Sequence, residues 1–101
     1  MIRHIVMFKF KEEAEGRTKA ENLAITKSML DALPGKIDLI RASSVTINSP
    51  SASPDNYDLC LVSDFDSFED LNAYIVHPDH KAVGAFMRPV RLERSCVDFE
   101  I

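Results

Sequence analysis

Residues 74–80 hold the densest set of groups in the chain that could move a proton. They read Tyr74-Ile75-Val76-His77-Pro78-Asp79-His80. An imidazole changes charge near neutral pH and can act as a general base, while a phenol can donate a hydrogen bond to a developing oxyanion. Together these groups suit the removal of a proton next to a carbonyl, as in an aldol-type ring closure.

Pro78 divides this stretch, because a proline cannot donate the helical hydrogen bond to the Tyr74 carbonyl and clashes with it. The helix that Ser67 opens as N-cap is therefore predicted to end or kink near His77. A further helix is predicted from Pro78 to about Met87. For His77, just ahead of the proline, the position predicts a helix-capping or packing role.

The two ends of the stretch, Tyr74 and His80, share helical stripes with apolar residues and are predicted to point towards the sheet. His4 lies on the richer apolar face of the first strand, so all three side chains could converge on one small-molecule cavity. The predicted catalytic pair is Tyr74 and His80, and the predicted ligand-binding set is His4, Val6, Phe8, Leu59, Leu61, Val83 and Phe86. The alternative is that Tyr74 and His80 pin the kinked helix to the sheet and that His4 is a hydrogen-bonded core residue.

No metal or other cofactor is predicted. The three histidines lack a His-x-x-x-His face and a set of accompanying carboxylates. Cys60 and Cys96 fall inside predicted strands and outside any C-x-x-C pair, so both are predicted to be buried free thiols.

Strands and helices must position these groups. Alternation of apolar residues predicts strands at residues 2–10, 37–48, 57–65 and 91–101. A helix between the first two strands begins with a capping box of Thr18 and Glu21 and stops at Pro34. Residues 49–56 have turn chemistry and predict a loop. The predicted buried stripe of the first helix is Ala20, Leu23, Ala24, Met29, Leu30 and Leu33.

This order of elements predicts an α+β, ferredoxin-like βαββαβ fold in one domain, residues 1–101, with a four-stranded antiparallel sheet and the helices on one face. The other face would then expose an apolar patch of Ile5, Met7, Cys60 and Val62, which monomers rarely leave uncovered. Face-to-face pairing of two sheets about a two-fold axis is the simplest way to bury it. The sequence therefore predicts a homodimer through the sheet face.

Charge and hydropathy argue against two classes of partner. The net charge is -4, and the cluster of Arg88, Arg91 and Arg94 alternates with apolar and acidic residues, so it is interpreted as a solvated rim and no nucleic acid is expected. No apolar run approaches 18 residues, and no signal-peptide pattern is present, so neither a membrane partner nor export is expected. A cytoplasmic location is the prediction.

As a set, these motifs resemble the Dabb family of stress-responsive dimeric α/β-barrel domains. The residues that carry the resemblance are Arg3-His4-Ile5-Val6-Met7-Phe8-Lys9-Phe10, Tyr57-Asp58-Leu59-Cys60-Leu61-Val62, Phe65-x-Ser67-x-Glu69-Asp70-Leu71 and the 74–80 run. The resemblance implies a homodimer whose two sheets form a dimeric α/β barrel. It also implies, from a plant polyketide cyclase of the family, catalytic roles for Tyr74 and His80 and a pocket position for His4. The chain departs from that cyclase at Leu59, where the cyclase has a pocket histidine.

Three functions are compatible with these residues. The first is a stress-responsive dimer that binds a small apolar or aromatic carbonyl compound between helices and sheet without turnover. The second is a cofactor-free, polyketide cyclase-like enzyme with His80 as general base and Tyr74 as oxyanion donor. The third is a cofactor-free monooxygenase.

Overall fold

The computed structural model describes residues 1–101 as two layers, a sheet and the helices that cover one side of it. The elements are β1 (Ile2–Phe10), β2 (Glu13–Ala14), β3 (Arg17–Thr18), α1 (Lys19–Ala32), a 3₁₀ turn (Leu33–Gly35), β4 (Ala42–Ile47), β5 (Leu59–Phe65), α2 (Phe68–Ile75), α3 (Pro78–Met87) and β6 (Arg91–Glu100). Four strands form one antiparallel sheet in the order β4-β5-β1-β6. The predicted ferredoxin-like α+β fold is confirmed.

Two predicted strand boundaries are wrong. The second long strand begins at Ala42 and not at residue 37, because the backbone amides of Ile37 and Ile40 bond locally to the carbonyls of Leu33 and Ile37. The third begins at Leu59. The sequence also missed the small β2–β3 hairpin, whose turn places Glu15 at a φ of 54° and which lies between the predicted first strand and first helix.

The predicted buried stripe of the first helix is confirmed in part, because Leu23, Leu30 and Leu33 are buried. Ala20 and Ala24 are exposed, while Asn22 and Thr26 are fully buried. The side-chain oxygen of Asn22 accepts from Arg17 Nε at 2.6 Å, its amide donates to a β2 carbonyl, and the Thr26 hydroxyl donates to the Asn22 carbonyl at 2.8 Å. These bonds satisfy the buried polar atoms and fix the hairpin to the helix.

The predicted helix starts are confirmed. Thr18 and Glu21 form the capping box of α1, and the Ser67 hydroxyl accepts from the Asp70 amide at 3.1 Å at the start of α2. Nδ1 of His77 accepts from the Asp79 amide at 3.1 Å and so caps α3. The chain therefore breaks between α2 and α3 next to Pro78.

The second face of the sheet has no helix over it. Ile5 and Val62 are half-buried there, and Met7, Val97 and Phe99 are exposed at 38%, 54% and 39%. We call these five residues the open face. None of the helices is long and apolar enough to cross a membrane.

Candidate active site

His80 lies in the first turn of α3, half-buried, with its ring against the helix that precedes it. Nδ1 lies 3.0 Å from the carbonyl oxygen of Ile75, which can only accept, so Nδ1 carries the ring proton. The neutral ring therefore presents Nε2 as an unprotonated base. Burial lowers the pKa of His80, and this effect outweighs the hydrogen bond to Ile75, which raises it. The imidazole therefore stays neutral at a pH at which a free histidine would already be charged.

Tyr74 lies one helix earlier and packs against the His80 ring. Their ring centroids are 4.5 Å apart, and the centroid of His4 lies 6.4 Å from that of Tyr74. Burial raises the pKa of Tyr74 to about 12, so the phenol stays protonated and can serve as a hydrogen-bond donor. The residue is 1% exposed and belongs to the apolar core.

His4 completes the group from β1. It is 3% exposed and stands opposite Asp98 of β6 in the strand register. Its Nδ1 lies 2.5 Å from Asp98 Oδ1, so the carboxylate accepts the Nδ1 proton. Asp98 thus orients the ring of His4 as a carboxylate orients a catalytic imidazole.

A cavity of about 70 Å³ joins His4 and His80, and we call it the histidine cavity. Its lining residues are His4, Val6, Phe8, Leu30, Leu61, His80, Val83, Gly84, Met87, Arg91 and Arg94. Six predicted site residues are therefore brought together. Tyr74 contacts both histidine rings without lining the cavity.

Leu59 and Phe86 are not part of the histidine cavity. Phe86 turns towards the hairpin, where the Arg17 guanidinium lies 5.0 Å above its ring. Leu59 borders a larger groove of about 670 Å³ beside the β4–β5 loop. That groove contains no imidazole, and its titratable side chains are Asp55, Tyr57 and Cys60, whereas the smaller cavity contains both His4 and His80.

Two arginines of β6 reach the same cavity, although alternation along a strand would send residues 91 and 94 to opposite faces. A bulge prevents this: Arg94 pairs with Phe8, while Arg91 pairs with Phe10, and Leu92 is the extra residue. Bulges re-aim side chains in this way and are frequent next to active sites. Both guanidinium groups therefore lie on the helix-covered face.

Cys96 lies beside the His4–Asp98 pair and is exposed, so the prediction that both thiols are buried is wrong; Cys60 is half-buried. The donor atoms of His4, Cys96 and Asp98 lie within 4.8 Å of one another and are the set that could hold a metal ion. Burial and the neighbouring Asp98 raise the pKa of the thiol, which opposes the thiolate that such an ion needs. Both the thiol and Asp98 approach the same Nδ1 of His4, so these residues are not a Cys-His-Asp triad.

Sequence reasoning missed Asp98, Arg91 and Arg94. The available sequence signal for Asp98 was strand alternation, because Asp98 lies between Val97 and Phe99 and therefore shares the sheet face of Cys96. Its pairing with His4 depends on the strand register, which the sequence does not contain. The position of the two arginines on one face follows from the bulge, and Leu92 gives no sequence signal that a bulge occurs there.

Comparison with known proteins covers nearly the whole chain. The family model Dabb, the stress responsive A/B Barrel Domain, matches residues 2–101. Olivetolic acid cyclase of Cannabis sativa is 25% identical over 87 residues, which are 86% of this chain and 83% of the cyclase.

Solved structures share the architecture. A dimeric protein of unknown function with a ferredoxin-like fold from Bacteroides fragilis is 33% identical, with a TM-score of 0.79 over 99% of this chain and 95% of its own. A hydroxynitrile lyase from Passiflora edulis has the same TM-score, 0.79, over 99% of this chain and 92% of its own, at 14% identity, which shows the fold alone.

Proposed function

We propose, from the premise that this chain belongs to the Dabb family, that it binds a small carbonyl compound in the histidine cavity and that His80 removes a proton next to the carbonyl. One observation carries the proposal. The Ile75 carbonyl holds the His80 proton on Nδ1, and burial lowers the pKa of the ring, so a neutral base with a free Nε2 borders an apolar cavity at neutral pH.

Two neighbours support the reaction. The Tyr74 phenol stays protonated and packs against the His80 ring, so it can hold the base in position from outside the cavity. The His4–Asp98 pair supplies a second oriented imidazole on the same cavity. In this proposal a C–H bond breaks, the proton moves to Nε2 of His80 and the electron pair becomes the enolate.

The size of the cavity limits the ligand. A volume of about 70 Å³ holds roughly two waters, each of which occupies about 30 Å³ in the liquid. Pockets that enclose a drug-sized molecule have about 300–1,000 Å³. Only the reacting end of a ligand therefore enters, and a short carbonyl compound fits better than a large aromatic one.

In the same proposal, two copies pair through the open face. The Bacteroides fragilis relative is described as dimeric, and an apolar patch such as Ile5, Met7 and Val97 favours burial against a second copy. A two-fold axis lets one patch serve both chains.

The test uses deuterium exchange, which can be followed on simple carbonyl compounds in place of the natural substrate. Short ketones, aldehydes and oxo acids are incubated with the protein in D₂O, and proton NMR follows the loss of signal from the carbon next to the carbonyl. We expect exchange faster than in buffer, and a fall of about 10²–10⁴-fold in His80→Ala because the base is removed.

His77→Asn is the matched control. It replaces a histidine three residues away that caps α3, and asparagine is itself a good N-cap, so both the exchange rate and the fold should persist. Exchange that His80→Ala leaves intact would remove His80 from the reaction. Binding without exchange would favour the non-catalytic binding protein, whereas the monooxygenase alternative and the cytoplasmic location stay predictions.

A further inference from the structure

The two arginines at the cavity, Arg91 and Arg94, differ in their partners from the two arginines that form ion pairs. Arg3 and Arg41 form ion pairs with Asp64 and Asp66, with Nε 2.9 and 3.0 Å from a carboxylate oxygen. Neither Arg91 nor Arg94 has a carboxylate within 4.0 Å, although the chain carries 16 acidic residues against 12 basic ones.

No acidic residue lines the cavity to neutralise its two arginines. Asp98 is engaged by His4, and the remaining titratable groups of the lining are the two histidines and the two arginines. The charge of Arg94 contributes to the lowered pKa of His80 and opposes the rise in that of Cys96, so its field acts inside the cavity. A guanidinium stays charged at every physiological pH.

The two arginines are placed by a departure from regular strand pairing. A bulge at Lys9 and Phe10 turns both to the side of α3, which alternation would not do. There they border an apolar wall that Phe8 and Val83 help to form. An apolar interior with fixed positive charge at one side is complementary to a short apolar body that carries one anionic group.

We infer that the ligand of the histidine cavity is an oxo acid whose carboxylate is bound by Arg91 and Arg94 while its carbonyl end lies against His80. This inference rests on the proposed function and adds the chemical class of the ligand. Guanidinium and carboxylate match in planar, two-bond geometry, which orients the acid as well as attracting it. The proton transfer is unchanged: the C–H bond next to the carbonyl breaks, Nε2 of His80 takes the proton, and solvent returns a deuteron to the same carbon in D₂O.

The experiment compares 4-oxopentanoate with its methyl ester, which keeps the carbonyl and removes the charge. Binding is measured by calorimetry and exchange by proton NMR, for the wild type, for Arg91→Gln/Arg94→Gln and for Arg88→Gln. Arg88 is the matched control because it follows α3, also lacks an ion pair and does not line the cavity.

We expect the wild type to favour the acid over the ester by at least about tenfold, and the double variant to reduce that ratio to about one. Arg88→Gln should keep the wild-type ratio. Circular dichroism and thermal unfolding test whether the double variant is folded. If the double variant does not fold, Arg94→Gln alone replaces it and should reduce the preference for the acid in part.

Three results overturn the inference in different ways. Equal binding of acid and ester by the wild type, with exchange present, removes the oxo acid and leaves the proposed function intact. Absence of both binding and exchange with either probe overturns the proposed function and the inference with it. Inorganic phosphate that competes as well as the acid would also overturn it, since the site would then select any anion.

Discussion

His4 and Ile5 are neighbours on β1, yet they belong to opposite faces of the sheet with opposite chemistry. Across the strands His4 meets Asp98 beneath the helices, whereas Ile5 meets Val62 and Val97 on the side without helices. The usual arrangement is thus partly reversed, with polar groups under the helices and apolar groups facing outwards. In our proposal one face binds a ligand and the other binds a second copy, and strand alternation keeps the two functions apart.

Charge follows the same division. On the open side, the guanidinium of Arg3 bonds both oxygens of Asp64 and holds the pKa of that carboxyl below its usual range. Under the helices, Arg91 and Arg94 have no such partner. A charge neutralised within the chain is compatible with an interface between copies, and an unneutralised one in a cavity is suited to binding.

We expect the largest effect from Val97→Asp, which tests whether the open face binds a second copy. It puts a charge into the open face, where each copy would meet the same charge or apolar side chains, and association should weaken by on the order of a hundredfold. Light scattering at micromolar concentration should change from a mass of twice 11.4 kDa to 11.4 kDa.

Leu92→Asp is the control, since Leu92 is similarly exposed, at 60% against 54% for Val97, and lies at the bulge outside the open face. Its mass should stay dimeric. A wild type that scatters as 11.4 kDa would remove the dimer, and equal effects of the two variants would remove the open face as its interface.

Sequence alternation was sufficient to separate the two faces and to place His4 beneath the helices. It also predicted the break at Pro78 and the cap by His77, because proline and capping chemistry are local. It could not predict Asp98 as the partner of His4, since strand register depends on contacts between distant segments. Arg91 escaped for a related reason: a bulge of one residue reverses the face that alternation assigns.

Helical periodicity was less reliable than strand alternation. In α1 the buried positions Asn22 and Thr26 are polar, so a stripe of apolar residues alone identifies only part of the buried face. Phe86 has the correct spacing for the cavity, but its ring is held under the Arg17 guanidinium. Both errors involve Arg17 of the hairpin that the sequence did not predict, because its guanidinium bonds Asn22 and covers the ring of Phe86.

A smaller effect is expected at the pair that organises the helix-covered face. Asp98→Ala leaves His4 buried without its carboxylate partner, and a hydrogen bond to a charged group contributes about 1.5–3 kcal/mol to stability. Urea unfolding should show a loss of this size. Asp98→Asn, which keeps an acceptor without the charge, should lose less.

Glu93→Ala provides the comparison on the same strand. Glu93 points away from the helices, is exposed and has no ion pair, so its removal should change stability by less than about 0.5 kcal/mol. If both substitutions cost the same, the His4–Asp98 bond does not distinguish the two faces energetically.

The smallest effect is a pH dependence carried by His80. Its pKa in the folded chain lies below the ordinary value, so as pH falls through about 6.5 the unfolded chain binds a proton before the folded chain does. Stability therefore decreases as pH falls from that value to the folded pKa and is fully retained above it. Urea midpoints for wild type and His80→Gln should run parallel above this window and diverge within it, with the variant less sensitive to acid.

Substitution of a charged residue near His80 tests why the pKa of its ring is lowered. Burial is the largest influence, and electrostatic interactions with His4, Arg94 and His77 lower the pKa further. Arg94→Gln should therefore move the inflection of the His80 NMR titration upwards while burial keeps it below the ordinary value. An inflection at or above the ordinary value in the wild type would mean that the His80 ring is solvated. The contrast between a helix-covered face with a buried neutral base and the open face would then no longer hold.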